Sequence, residues 1–376
     1  MKKILLNNIL AVLLFFSVIP IKYFFGAKIN FLPLQFIFYI FILFIFYKIN
    51  IKKNILIIDT FFVLYFIIVT IYNIMEPFNI FTNPVIITLI TIIFILHTYL
   101  PKNLEYLDKI LKLFFIFFII FSLYLNIQHM MFFGGFSVRS KGFGSGTLYA
   151  TLSIITILYF LDKFLLREIN KFKLFIYTFI PIWSLILTQS RGALLTFILA
   201  FLIRNKSNIL KYKLNVLKIL KWIGLLFLLI VVLLNFWKII SQIPFIKRFE
   251  LSSYKNVAQF TSNRLPTQEY ILEDLSNENS VTILFGKGLN SIKKLVYEKG
   301  LEFPHFDLLY VLYDGGLFSV IFYLIFIFLY VRKSKLIYYP LIYFFSSFHT
   351  NMIISPAYLV LLYLLSTNFY YKKGKG

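Results

Sequence analysis

The stretch SLILTQSRGALLTFILAFL, residues 184–202, sets an arginine inside sequence apolar enough for a lipid bilayer. Leu185, Ile186 and Leu187 precede Arg191, and Leu194, Leu195, Phe197, Ile198 and Leu199 follow it. An arginine at the centre of a membrane helix costs roughly 2.5–3.5 kcal/mol on insertion scales. Two readings are open. Long basic side chains snorkel to the interface from helix ends. The polar Thr188, Gln189 and Ser190 before it, and the small Gly192 and Ala193 after it, instead suggest a tight break between two helices. At such a break backbone and guanidinium can both approach a ligand, and this reading is preferred.

Working outward, the remainder of the chain is equally apolar. It has 376 residues, 60% hydrophobic and 14% charged. A soluble chain of this length has no interior large enough for that much apolar surface, so lipid is the expected solvent. Cysteine is absent, which excludes disulfides, a thiolate nucleophile and cysteine-ligated metal. A net charge of +23 would suggest nucleic acid in a soluble protein; here it is better explained by cytoplasmic loops, and no nucleic-acid partner is expected. The basic start followed by an apolar run, without a small-x-small cleavage site, reads as an uncleaved first transmembrane helix.

The expected fold class is an all-α polytopic membrane protein of about twelve transmembrane helices with one large external loop carrying short helices. Apolar stretches of bilayer-crossing length fall near 4–21, 31–47, 54–73, 80–99, 109–126 and 146–161, then near 172–188, 192–204, 219–237, 307–331, 335–349 and 352–370. With the N-terminus in the cytoplasm, 24 of the 38 basic residues fall in inside loops and tails. Outside the long loop, the external side then holds only Lys22, Lys28, Arg139, Lys141 and Arg191. The positive-inside rule is satisfied at each crossing. The organisation follows: helices 1–5 over 1–130, helices 6–9 with a glycine-rich external loop over 131–237, the large external loop over 238–306, and the last three helices over 307–376.

This topology brings Arg139, Arg191, Arg264 and His305 to one membrane face although they are far apart in sequence. Arg139 and Lys141 lie in FGGFSVRSKGFGSGTLYA, whose glycines can bring backbone amides close to an anion. A glycine-rich reentrant loop without catalytic work is the other reading. Arg264 precedes a short amphipathic helix expected to begin at Pro266, with Leu265, Tyr270, Ile271 and Leu275 on its apolar side. It has Glu269 and Asp274 as candidate ion-pair partners. LFGKGLNS then supplies a turn. His305 stands at the mouth of a long helix, Asp307 is placed to cap it, and Asp314 lies deeper, where a carboxylate needs a partner such as an arginine from another helix.

Arginines facing outward, without a His, Cys or carboxylate cluster for a metal, suit a phosphate-bearing lipid substrate. Guanidinium forks bind phosphate oxygens in pairs and stay charged. They can stabilise a diphosphate leaving group by electrostatics alone. A histidine suits proton removal from an attacking hydroxyl.

These residues resemble the O-antigen ligase and O-antigen polymerase superfamily. TQSRGALLTFILA is similar to its Ser-Arg-Gly-small signature. RSKGFGSGTLYA upstream, then NRLPTQEYILEDL, LFGKGLNS and PHFDLLYVLYDGGLFSVIFYLI, follow in the family's order over about 135–331. The last resembles the family's proline-histidine start to a helix ending in a glycine pair, here Gly315 and Gly316. The resemblance implies a metal-independent glycosyltransferase of the bacterial inner membrane, with its active site on the external face and no cofactor. Arg191 and Arg264 would bind the diphosphate and His305 would activate the acceptor. Arg139, Lys141, Ser190, Asp307 and Asp314 would contact substrate. Many members carry Asn after the histidine, whereas Phe306 and Asp307 follow here. Expected partners are a polyprenyl-diphosphate-linked glycan, an acceptor glycan, membrane lipid, and a flippase and chain-length regulator of the same pathway. Polymerisation of repeat units is the leading activity, ligation onto a lipid A core the second. A lipid-linked glycan flippase, from another class, would need a charged central cavity and no large external loop.

Overall fold

The structure is a computed structural model, and it describes residues 105–133, 140–142, 146–211, 264–288, 291–301, 304–350, 352 and 356–368. Within these residues every regular element is helical. The helices are α1 (Glu105–Phe132), α2 (Gly146–Leu165), α3 (Lys171–Thr188), α4 (Arg191–Lys211), α5 (Arg264–Ser276), α6 (Ser280–Phe285), α7 (Ser291–Glu298), α8 (Asp307–Lys333), α9 (Tyr338–Ser346) and α10 (Pro356–Asn368). Four of them are long and apolar enough to cross a membrane: α1, α2, α3 and α8. The spans expected at 4–21, 31–47, 54–73, 80–99 and 219–237, and the loop through 263, lie outside the described residues.

The break at the SRG stretch is present. Asn170 begins α3 by accepting the Lys173 amide at 2.9 Å, and α3 runs to Thr188. Gln189 then takes a left-handed conformation, with φ 48° and ψ 33°. Such a conformation is unusual for a residue other than glycine and stops a right-handed helix in one step. The chain restarts at once as α4. That helix reaches span length at 21 residues. Arg191, Arg204, Lys206 and Lys211 keep it out of the strongly apolar set.

Helix α2 is the centre of the bundle, buried along nearly its whole length. A helix that is apolar all round belongs inside. Three of its hydroxyls donate within the helix to the carbonyl four residues back: Thr151 to Thr147, Ser153 to Tyr149, Thr156 to Leu152. Around it, Tyr159 stacks on Phe115 of α1 and Phe160 on Tyr177 of α3, both with ring centroids 4.5 Å apart.

The bundle has two unlike ends. At the first, Arg204 Nε of α4 meets Asp162 Oδ1 of α2 at 2.7 Å, and the hydroxyls of Tyr338 and Tyr339 of α9 donate to Asp162 Oδ2. Nearby, Lys163 pairs with Asp108 of α1 and, at 2.9 Å, with Glu168. The amides of Lys335 and Leu336 donate to the Ser366 carbonyl, joining the start of α9 to the end of α10. Removing one partner from a buried pair such as Asp162–Arg204 typically costs about 3–5 kcal/mol.

One expected span is shortened. The span placed at 335–349 forms only the nine residues of α9, followed by a turn at 347–349. At about 1.5 Å per residue that is half a bilayer. Its tyrosines are buried in the bundle rather than turned to lipid: Tyr338, Tyr339 and Tyr343. The glycine pair ends the first part of α8, as expected: Gly316 is non-helical, with φ 71° and ψ −174°, and a second helical part continues from it to Lys333 across the kink.

Candidate functional site

At the second end, segments distant in sequence converge. The Ser140 amide donates to the Leu187 carbonyl at 2.9 Å, placing the 140–142 turn beside the last turn of α3. Thr147, at the start of α2, donates its hydroxyl to Thr350 at 3.1 Å. The Asp307 amide donates to the Ser347 carbonyl at 3.0 Å, and the Phe306 ring stacks on Phe348 at 5.4 Å between centroids. Every one of these contacts involves either the α3–α4 break or the turn after α9.

His349 is the hub. Its Nε2 lies 3.1 Å from the Thr196 hydroxyl of α4. Its ring covers Gly192 closely enough that a Cβ there would come within 2.4 Å of the imidazole Cγ. Its carbonyl accepts a hydrogen bond from Arg264 Nη1 at 3.3 Å. One turn of chain therefore holds the SRG glycine, the start of α4 and the loop arginine together.

Arg191 opens α4 and is half-buried. A helix N-terminus carries roughly half a positive charge, so a cation there is electrostatically misplaced unless an anion shares the position. Helix amides and guanidinium together make this end attractive to phosphate oxygens. Ser190 is buried and acts as the N-cap, its Oγ accepting from the Ala193 amide at 3.4 Å, so its hydroxyl already has local work in starting α4.

Arg264 begins α5, whose buried positions are Thr267, Ile271 and Leu275. Pro266 stands two residues inside the helix, in its first turn, rather than at its start. Asp274, weighed as a partner for Arg264, is engaged elsewhere. Its Oδ2 accepts from Lys287 Nζ at 2.6 Å and from the Tyr313 hydroxyl at 2.7 Å. Burial raises the Asp274 carboxyl, but the hydrogen bonds from Lys287 and Tyr313 and the Lys287 charge outweigh it and hold the group below its ordinary value. Lys287 also pairs with Glu278 at 2.6 Å. Burial alone would lower this ammonium; Asp274 and Glu278 raise it well above the ordinary lysine value.

His305 is half-buried and stands next to Phe306, whose ring rests on Phe348 beside His349. Asp307 does not cap α8 with its side chain. Phe306 is the cap residue, without a side-chain bond, and Asp307 is the first helical residue. The Asp307 carboxylate is fully buried and accepts from the Tyr323 hydroxyl at 3.4 Å. A carboxylate in the first turn is favoured by the helix dipole. Asp314 accepts the Ile292 amide at 2.9 Å through Oδ1, holding the start of α7. Backbone from the loop helices is thus one partner of this carboxylate. Lys141 is exposed, and Arg139 lies outside the described residues.

The two glycine motifs have a joint structural purpose. The Lys287 and Gly288 amides donate to the carbonyls of Tyr313 and Asp314, both at 2.9 Å. Gly286 and Gly316 have φ of 83° and 71°, and their Cα atoms lie against opposing backbone. LFGKG therefore clasps YDGGL main chain to main chain, and the loop helices are fastened to α8.

Sequence reasoning singled out neither His349 nor Thr196. A signal was present: SSFHT is a polar run closing an apolar stretch, at the same membrane face as Arg191 in the expected topology. Compared with family models the chain matches none, and a search of characterised proteins returns no significant match. The class defined by fold and composition is an all-helical protein, over its described residues, with four helices long and apolar enough to cross a membrane.

Proposed function

We propose that this protein is a membrane glycosyltransferase that polymerises polyprenyl-diphosphate-linked oligosaccharide repeats on the external face of the bacterial inner membrane, through about twelve spans. The observation that carries the reading is the meeting at His349 of Arg264, from the loop, with Gly192, beside Arg191. Two arginines 73 positions apart by residue number belong to one end of the bundle. The opposite end holds Lys163, Arg204, Lys333 and Lys335, which supports a cytoplasmic orientation for it and an external one for the site.

In this reading the donor diphosphate lies at Arg191 and Arg264. An acceptor hydroxyl near His305 attacks the anomeric carbon of the donor sugar and gives its proton to the imidazole. The bond from that carbon to the diphosphate oxygen breaks, and the polyprenyl diphosphate leaves with its added negative charge held by the two guanidinium groups. Deleting the gene and separating surface polysaccharide on a gel tests the reading. Ladders collapsing to a single repeat on the acceptor support polymerisation. Long unattached lipid-linked polymer would mean ligation, and an unchanged ladder would remove both.

A further inference from the structure

A cavity of about 320 Å³ opens beside the 140–142 turn, with Leu125, Gln128, His129, Phe133, Ser140 and Lys141 among its walls. It belongs to the site end of the bundle, because the Ser140 amide is bonded to the Leu187 carbonyl, two residues before the turn that delivers Ser190 and Arg191. Its walls are held in place. The Gly142 amide donates to Ser140 Oγ at 3.2 Å, and Gly142 lies so close to Tyr149 that a Cβ would fall 2.4 Å from the ring. The Tyr149 hydroxyl in turn bonds Asn126 of α1 at 3.1 Å and Ser184 of α3 at 2.9 Å. Three helices thus fix one wall, as expected of a pre-formed ligand site.

The lining has a mixed chemistry. The His129 ring, 6% exposed at its residue, stacks with Phe133 at 6.2 Å between centroids and 16° between planes. The Phe133 ring, 57% exposed and backed by the imidazole, offers the kind of flat apolar surface that suits the C–H face of a pyranose ring. Gln128 can donate and accept at once, which matches sugar hydroxyls. Lys141 brings an exposed ammonium to the wall. A lipid tail would have no use for the amide or the ammonium, and a diphosphate would meet Leu125 and Phe133 where it needs cations.

We propose that this cavity is a subsite for an acidic sugar of the glycan, with the ring against His129 and Phe133, hydroxyls at Gln128 and the carboxylate at Lys141. The assignment rests on the glycosyltransferase reading above. The cysteine-free chain permits a direct occupancy test. Full-length protein carrying Leu125→Cys is placed in lipid nanodiscs and its rate of modification by a water-soluble maleimide is measured. The probes are a soluble tetrasaccharide containing glucuronic acid and the same tetrasaccharide with its carboxylates reduced to alcohols. A separate variant, Glu298→Cys, reports an exposed position on α7.

The acidic probe is expected to slow labelling at 125 by about tenfold relative to the neutral one, the size of a charge-assisted contact, without slowing it at 298. Lys141→Gln in the Leu125→Cys background is expected to abolish that difference. Equal protection by both probes, no protection by either, or a difference that survives Lys141→Gln would overturn the proposal. The polymer gel separates the two readings: polymer lost on gene deletion with no protection at 125 removes the subsite alone. Selective protection with an unchanged ladder keeps the acidic-sugar site and removes the polymerase.

Discussion

The imidazole of His349 lies directly on Gly192, leaving room there for hydrogen alone: a Cβ would sit 2.4 Å from the ring's Cγ and 2.5 Å from the histidine's own Cβ. Those atoms are near the backbone and cannot swing aside. Gly192→Ala is therefore expected to destabilise the inserted protein by about 1–3 kcal/mol, the usual range for overpacking. Thermal unfolding in detergent measures it. Adding His349→Ala should relieve most of the loss, so the two changes are expected to be strongly non-additive. Simple additivity would show that the two residues do not press on one another.

The clasp between the loop helices and α8 makes a sharper demand. Gly316 has φ 71° and ψ −174°, a region reached almost only by glycine, and a Cβ there would lie 2.3 Å from the Leu284 carbonyl oxygen. Gly300 shares a positive φ of 61° but has open space around it. Both should suffer from alanine through strain, about 1–3 kcal/mol for the conformation alone. Gly316→Ala should lose more, because backbone meets backbone. Protease sensitivity of α5 to α7 reads the difference, and equal sensitivity would mean that the clasp yields freely.

What the sequence disclosed and what it hid divides along physical lines. The α3–α4 break was legible because a run of polar residues interrupts two apolar stretches. The ends of α2, α3 and α8 were legible for the same reason: their apolar runs stop at polar or charged residues. At 335–349 hydropathy places a span, where the chain forms only the nine residues of α9. Hydropathy records how apolar a segment is, while α9 spends that character on burial against α2, α4, α8 and α10. The partners of Asp314 and Asp274 were hidden because they depend on how the loop helices fold back onto α8. His349 was hidden because its importance comes from contact with Gly192 and Arg264, far away in the chain.

Acid should loosen the loop before it loosens the bundle. The Asp274 carboxyl is held below its ordinary value, so its ion pair with Lys287 contributes fully above that ordinary value and is lost as pH falls through the lowered one. Lys287 is raised, so its contribution persists at and above neutrality and is lost only in strong alkali. Amide exchange in α5 and α6, compared with α2, is expected to accelerate selectively below about pH 4, where free carboxyls become protonated. In Asp274→Asn the loop should exchange faster at neutral pH and respond less to acid. A wild-type loop indifferent to acid would remove the pair from the clasp.

The two ends of the bundle should also differ in access. Single cysteines at Glu298 and Arg167 report the loop end and the charged end, both on exposed residues. In sealed spheroplasts, an impermeant thiol reagent is expected to reach position 298 and to reach 167 only after the membrane is opened. The reverse pattern would invert the proposed orientation and, with it, the proposed external placement of Arg191 and Arg264.

Arg191 is the residue on which the proposed chemistry turns, and lysine is its most informative replacement. The planar guanidinium can offer two parallel hydrogen bonds to a diphosphate, whereas an ammonium offers a point contact. As the leaving oxygen gains charge, losing one preorganised donor costs about 3–4 kcal/mol of barrier, or a hundredfold to a thousandfold in rate. An interfacial anchor behaves otherwise, because lysine snorkels as well as arginine does. Arg191→Lys leaves the α4 start, the Ser190 cap and the His349–Gly192 contact without a direct change, so insertion should be retained. The measurement is polymer formed per unit of inserted protein, in the presence of EDTA, against wild type. A large loss is expected for the variant, with the wild-type protein, on the proposed reading, active under chelation. Near-normal polymer from the lysine form would reduce Arg191 to an anchor and shift the diphosphate site to Arg264.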